Sequence, residues 1–130
     1  MRSNPTRTRR ALAAALLLLI ATLTGCATYP DLSARIAERG AIDQSRDAGR
    51  KPAAVLEFLG IEEGMIVVDV LAAGGHYTEV LSAALGPLGK VYAHNIDFLL
   101  RMRGGINEKA IAARLAGDRL PNVERLDTEF

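Results

Sequence analysis

Hydrophobic and polar positions divide the chain into an apolar leader and a longer body in which short apolar runs alternate with polar turns. The run "ALAAALLLLIATL", Ala11 to Leu23, carries no charge. It is shorter than the roughly 20 apolar residues that a membrane-spanning helix needs, so it reads as the core of an export signal covering residues 1–25. In the body, "DLSARIAERG" predicts a helix capped by Asp31 and ended by Gly40. Pro52 suits the first turn of a second helix that Gly60 closes, with Val55, Leu56, Phe58 and Leu59 on one buried face. A turn at Glu63 and Gly64 precedes a nearly continuous apolar run, Met65 to Val70, of the kind buried on both faces in parallel sheets. Val80, Leu81, Ala84 and Leu85 repeat at helical spacing over Tyr77 to Leu85, and "GPLG" breaks that helix. "KVYAHN" reads as a second strand, residues Glu108 to Leu115 as a further helix, and "NVERLD" as a third strand. Strand, helix, strand, helix, strand predicts βαβ crossovers and a parallel sheet.

The leader changes the picture of where this sheet works. "MRSNPTRTRR" holds four arginines and no acid, and "LTGC", Leu23 to Cys26, follows the apolar core. This resembles the lipobox of bacterial lipoproteins, which implies that Cys26 is acylated and the signal cut away before it. The lone cysteine excludes an internal disulfide. The expected location is the bacterial cell envelope, periplasm-facing, with a lipid anchor at Cys26 holding the protein to the membrane. Ala27 in the next position is compatible with transfer to an outer membrane. "TRRAL", with Arg9 and Arg10, loosely resembles a twin-arginine export motif, against the plainer reading of an ordinary basic segment before a leucine-rich core. Beyond Cys26 stand all fifteen acids and twelve of the sixteen basic residues, a net charge of about −3. Nothing there suggests nucleic acid. The expected organisation is a signal peptide over 1–25, a tether and first helix over 26–45, and one domain over 46–130.

The stretch "VVDVLAAGGHYTEV", Val67 to Val80, is where chemistry would sit. Ligands of open parallel sheets bind beyond the carboxyl ends of the strands, and a glycine turn lets backbone approach them without a Cβ in the way. Asp69 ends the strand and Gly74 and Gly75 lie in the turn, although the same pattern also serves as a purely structural strand-to-helix connection. Read with their neighbours, "RKPAAVLEFLGIEEGM", "GGHYTEVL" and "GPLGKVYAHN" resemble the amino-terminal half of class I S-adenosylmethionine-dependent methyltransferases. The resemblance runs from Arg46 through Glu129. It implies an α/β, Rossmann-like methyltransferase fold, truncated after the third parallel strand, and S-adenosyl-L-methionine as cofactor. Asp69 would be the acid ending the first strand, Ala73, Gly74 and Gly75 the turn over the methionine part, Asn95 the residue at the ribose hydroxyls, and Asp127 a neighbour of the adenine.

Three departures accompany the resemblance. The family pattern places glycines at 71, 73 and 75, whereas this chain has Leu71, Ala73 and Gly75. Asn95 stands where the family has an acid. The chain supplies strands 3-2-1 of a fold whose cofactor crevice opens between strands 1 and 4, so it is expected to be incomplete, inactive alone and without an acceptor site. Strand 1 would then have an unpaired edge open to a protein partner. His76 and His94 are tempting bases, but a cover for the turn and a strand-end polar residue describe them better, and two histidines make no metal site. Arg46, Asp47, Arg50 and Lys51 could form a charged lip over the crevice or a solvated helix entrance. The expected function is a methyltransferase-like lipoprotein. The alternative is a non-catalytic envelope module that binds a protein partner or small ligand.

Overall fold

Residues 31–129 are described in the computed structural model, so the expected export signal, the lipobox-like "LTGC" and Cys26 lie outside the described residues. Asp31 caps α1 (Leu32–Ala37) as expected, accepting a hydrogen bond from the Ala34 amide at 2.8 Å. Two short helices, α2 (Ala41–Gln44) and α3 (Asp47–Arg50), then precede α4 (Pro52–Phe58), which starts at proline because an N1 residue needs no amide partner. β1 (Ile66–Asp69), α5 (His76–Leu85), β2 (Lys90–Asn95), α6 (Asp97–Leu115) and β3 (Val123–Asp127) complete the order. The predicted helix at Glu108 to Leu115 is thus the end of a longer element. Within α6 the backbone leaves helical geometry from Met102 to Gly105, where Gly104 and Gly105 take left-handed angles, and residues 106–115 resume the helix. No helix among the described residues is long and apolar enough to cross a membrane.

The three strands are parallel in the order β1-β2-β3, with β2 in the middle. Val67 pairs with Val91 and Val91 with Val123, so these three valines share one face of the sheet. On that face α5 packs through Val80, Leu81, Ala84 and Leu85, joined by Ile36 of α1 and Leu56 of α4. The first helix therefore belongs to the same core as the sheet. Ala93, two residues along β2 and on the same face, packs with Leu100 and Ile111 of α6. Both crossover helices lie on one side, as right-handed connections advancing in one direction require.

The opposite face is uncovered along β1 and at Leu126 among the described residues, although His94 of β2 on that face is only 4% exposed. Ile66 is 72% exposed, Val68 51% and Leu126 42%. This corrects the expectation that the first strand is buried on both sides: its apolar continuity is real, but only Val67 meets the core. Phe58 and Leu59 are likewise exposed rather than buried, because α4 offers the core only Leu56, with Ala53 and Val55 at its margin. β1 also lacks a strand partner on its outer edge among the described residues.

These positions should respond differently to substitution. Leu85→Ala, at a site with no exposure, is expected to cost about 2–5 kcal/mol. Val68→Thr should stay within about 0.5 kcal/mol while reducing self-association. Thermal unfolding and sedimentation velocity check both; a large destabilisation by Val68→Thr would mean that this face is covered.

Candidate functional site

From the end of β1 to the start of α5 the chain makes a turn in which Leu71 (φ 55°), Ala73 (φ 51°) and Gly75 (φ 79°) are left-handed. For a residue with a Cβ that conformation costs about 1–2 kcal/mol. The turn thus keeps glycine-type backbone at 71, 73 and 75, although two of the three residues are not glycine. Something must hold it there.

That restraint comes from β2. Asn95 has no exposed surface; its Oδ1 accepts from the Ala73 amide at 2.7 Å and its Nδ2 donates to the Ala73 carbonyl at 3.3 Å. The Ala72 amide donates to the His94 carbonyl at 2.9 Å. Asn95, anticipated as a ribose ligand, is instead fully buried and committed to the turn's backbone. An asparagine suits this position because its amide both accepts and donates, whereas an ionised acid only accepts.

Asp69 is fixed from the other side. The Thr78 hydroxyl, in the first turn of α5, donates to Asp69 Oδ2 at 2.6 Å. Burial pushes the Asp69 carboxyl above its ordinary value, opposed by hydrogen bonds from the Thr78 side chain and backbone. Asp69 is therefore held by a hydroxyl as well as by a backbone amide of α5. Thr78 escaped the sequence reading, and its one signal was a hydroxyl three residues after Gly75.

A cavity of about 630 Å³ opens beside the turn, within the size range of small-molecule sites. Asp69, Ala73 and Gly74 line it, facing Ile106, Asn107, Ala110 and Arg114 of α6, with Arg46, Arg50 and His76 at another wall. Gly75 is not among the residues lining the cavity, and a Cβ there would come within 2.4 Å of Ile111 Cδ1. Its smallness serves helix packing rather than a ligand. Asp127 is not brought to the turn: it pairs with Arg125 at 2.6 Å and borders a separate cavity with Glu108.

An ion cluster clamps the outer wall. Glu79, nearly buried in the first turn of α5, pairs with Arg119 at 3.0 Å and with Arg114. Arg114 also donates to the Gly74 carbonyl at 3.1 Å and to Asp43 at 2.9 Å. Burial lowers the Arg114 guanidinium from its ordinary value, and Asp43 opposes that shift. No sequence pattern pointed to Arg114, because it reaches the turn from forty residues away. His94 lies at the end of β2 with Nε2 3.0 Å from the Thr128 carbonyl. Among the described residues no group of three His, Cys, Asp or Glu side chains is placed to hold a metal ion.

Against known proteins, no family model and no curated protein matches the chain. It is similar to a crystal structure of a SAM dependent methyltransferase from Aquifex aeolicus, with a TM-score of 0.54 and 29% identity over 78% of this chain. The match covers 48% of that protein, so the chain corresponds to about half its length. Strand order, parallel register and this similarity define a methyltransferase-like, Rossmann-type α/β fold, through its first three strands.

Asn95→Leu tests the latch. Leaving the Ala73 amide and carbonyl without partners should destabilise the protein by about 1–3 kcal/mol and loosen the turn. Denaturant unfolding, with the Ala73 amide signal followed by NMR, checks it; an unmoved Ala73 resonance would mean that the latch is not formed.

Proposed function

We propose that the protein binds S-adenosyl-L-methionine on the turn between β1 and α5 and belongs functionally with methyltransferase-like proteins. The observation that carries this reading is the cavity at the carboxyl end of β1, with Asp69, Ala73 and Gly74 in one wall. Its position is where open parallel sheets take their ligands. The similarity to a SAM dependent methyltransferase supports the choice of cofactor. The residues present fit such a ligand in part. Gly74 keeps the turn low where a Cβ would lie 3.0 Å from Ala110 Cβ, and the cavity has both a carboxylate and apolar walls. Asn95 and Asp127, by contrast, stand outside the cavity wall.

When bound, the cofactor supplies an electrophilic methyl group for transfer to a nucleophile. This chain's contribution is positional: Asn95 and Arg114 hold opposite sides of the turn, and Thr78 holds the Asp69 carboxylate. No side chain in the cavity is assigned here to activate an acceptor. We therefore place cofactor binding with these residues and leave catalytic roles unassigned.

Calorimetric titration with S-adenosylhomocysteine tests the reading. The wild type should bind, and Asp69→Ala should weaken binding by about tenfold or more. Equal binding by both proteins would remove the turn from the site.

The proposed setting is the cell envelope, with the protein anchored through an acylated Cys26 and facing the periplasm. The sequence "LTGC" supports this. Radiolabelled palmitate should enter the wild type and not Cys26→Ser; equal labelling would reject the anchor. A second reading, a non-catalytic envelope module, is favoured by the edge of β1, unpaired among the described residues, and by the exposed Ile66 and Val68, which suit a protein partner. Retention of an envelope partner by Asp69→Ala, together with unchanged nucleoside binding, would favour it over the first.

A further inference from the structure

The position of α2 is not set by apolar burial. Its four residues bury no side chain, and Ile42 is 89% exposed. A helix of one turn also has no stability of its own in water. Charge fastens it to the rest of the molecule. The Asp43 side chain is 14% exposed, and its two oxygens take different partners: Oδ1 accepts from Arg114 Nη1 at 2.9 Å and Oδ2 from Arg119 Nη1 at 3.2 Å. Toward α1, the Asp43 amide donates to the Gly40 carbonyl at 2.9 Å and Gln44 Nε2 to the Ala37 carbonyl at 2.9 Å.

The guanidinium that Asp43 holds is the one that grips the turn. Arg114 Nε donates to the Gly74 carbonyl at 3.1 Å, so Gly74, Arg114 and Asp43 form one line of hydrogen bonds from the turn to α2. A planar guanidinium fixed at two of its nitrogens has little freedom left to turn. Glu79 supplies a second acid, accepting from Arg119 at 3.2 and 3.0 Å and pairing with Arg114. Two carboxylates thus balance two guanidinium groups. Without the charge at Asp43, Arg114 and Arg119 would share Glu79 alone. Arg114 is largely buried, and a buried charge that loses a partner is costly, so its side chain would reorient and leave the Gly74 carbonyl without its donor.

We propose that Asp43 is a positioning residue for the ligand turn, acting through Arg114, and that docking of α2 is thereby coupled to occupancy of the turn. The inference rests on the cofactor reading and goes beyond it. Asp43 does not line the cavity, and it lies ahead of Arg46, in a segment whose expected role was that of a tether and first helix. The amino-terminal arm becomes part of the binding apparatus. Such coupling is reciprocal: if α2 steadies the turn for a ligand, a ligand on the turn steadies α2.

The experiment uses the full chain with Asp43→Asn, Asp43→Glu and, as a control in the same helix, Ile42→Ser. Circular dichroism verifies folding. The Arg114 Nε–Hε signal and the Gly74 carbonyl shift are read by NMR without ligand. Asp43→Asn should move both and speed exchange of the Arg114 Hε by about tenfold, whereas Ile42→Ser should move neither. Asp43→Glu, which keeps the charge, should return both signals toward the wild type. S-adenosylhomocysteine should bind Asp43→Asn about fivefold more weakly than the wild type and regain affinity in Asp43→Glu. Unmoved signals in Asp43→Asn overturn the proposal. Moved signals with unchanged affinity overturn it as well, since Asp43 would then serve structure alone. If Asp43→Asn does not fold, hydrogen exchange of the Asp43 and Gln44 amides in the wild type decides: slowing on addition of S-adenosylhomocysteine keeps the coupling, and identical exchange rejects it. If the wild type binds no S-adenosylhomocysteine, the cofactor reading fails by itself, and the Arg114 and Gly74 signals in Asp43→Asn keep or overturn the positioning of the turn.

Discussion

The paired hydrogen bonds between the Asn95 amide and the Ala73 backbone are the constraint on which the site depends. The Asn95 amide has no exposed surface, so its hydrogen bonds would be expensive to leave unmade. Their combined worth is comparable to the cost of holding Leu71 and Ala73 in left-handed conformations. The turn can therefore keep the path of a glycine-rich loop without two of its glycines. Arg114 completes the restraint by gripping the Gly74 carbonyl from α6, and Glu79 in turn neutralises Arg114. Strand, turn and two helices are connected by this chain of contacts, and the cavity is the space they leave.

Much of the scaffold was legible in the sequence because its periodicities are local. Asp31 as a cap, Pro52 at a helix start, the strand "KVYAHN" and the helix through Leu85 all follow from neighbours within a few residues. The parallel order followed from the alternation of strands and helices. What failed was two-sided burial of the first strand. Apolar composition indicates which residues tolerate a core, whereas the presence of a covering layer depends on segments distant in the chain. Ile66 and Val68 have the residue types of a central strand without a covering layer among the described residues.

The site was legible in outline only. Asp69, Ala73 and Gly74 were named through a resemblance, and all three line the cavity. Asn95 was located correctly at the end of its strand, but its side chain turned inward because the turn's backbone needed both a donor and an acceptor. Asp127 lies opposite Asn95 in the strand register and is drawn to Arg125 instead. Thr78 and Arg114 carry no recognisable spacing, since their roles depend on where a helix lands after the chain has folded.

Among the described residues β2 lies between two neighbours while β1 has one, which gives the turn two unlike anchors. Amides of β2 should exchange with solvent only in large-scale opening, whereas those on the free side of β1 can exchange through local fraying. Breathing of the site would thus be hinged: the β2 side stays with the sheet while the β1 side swings. Entry of any ligand would follow that hinge.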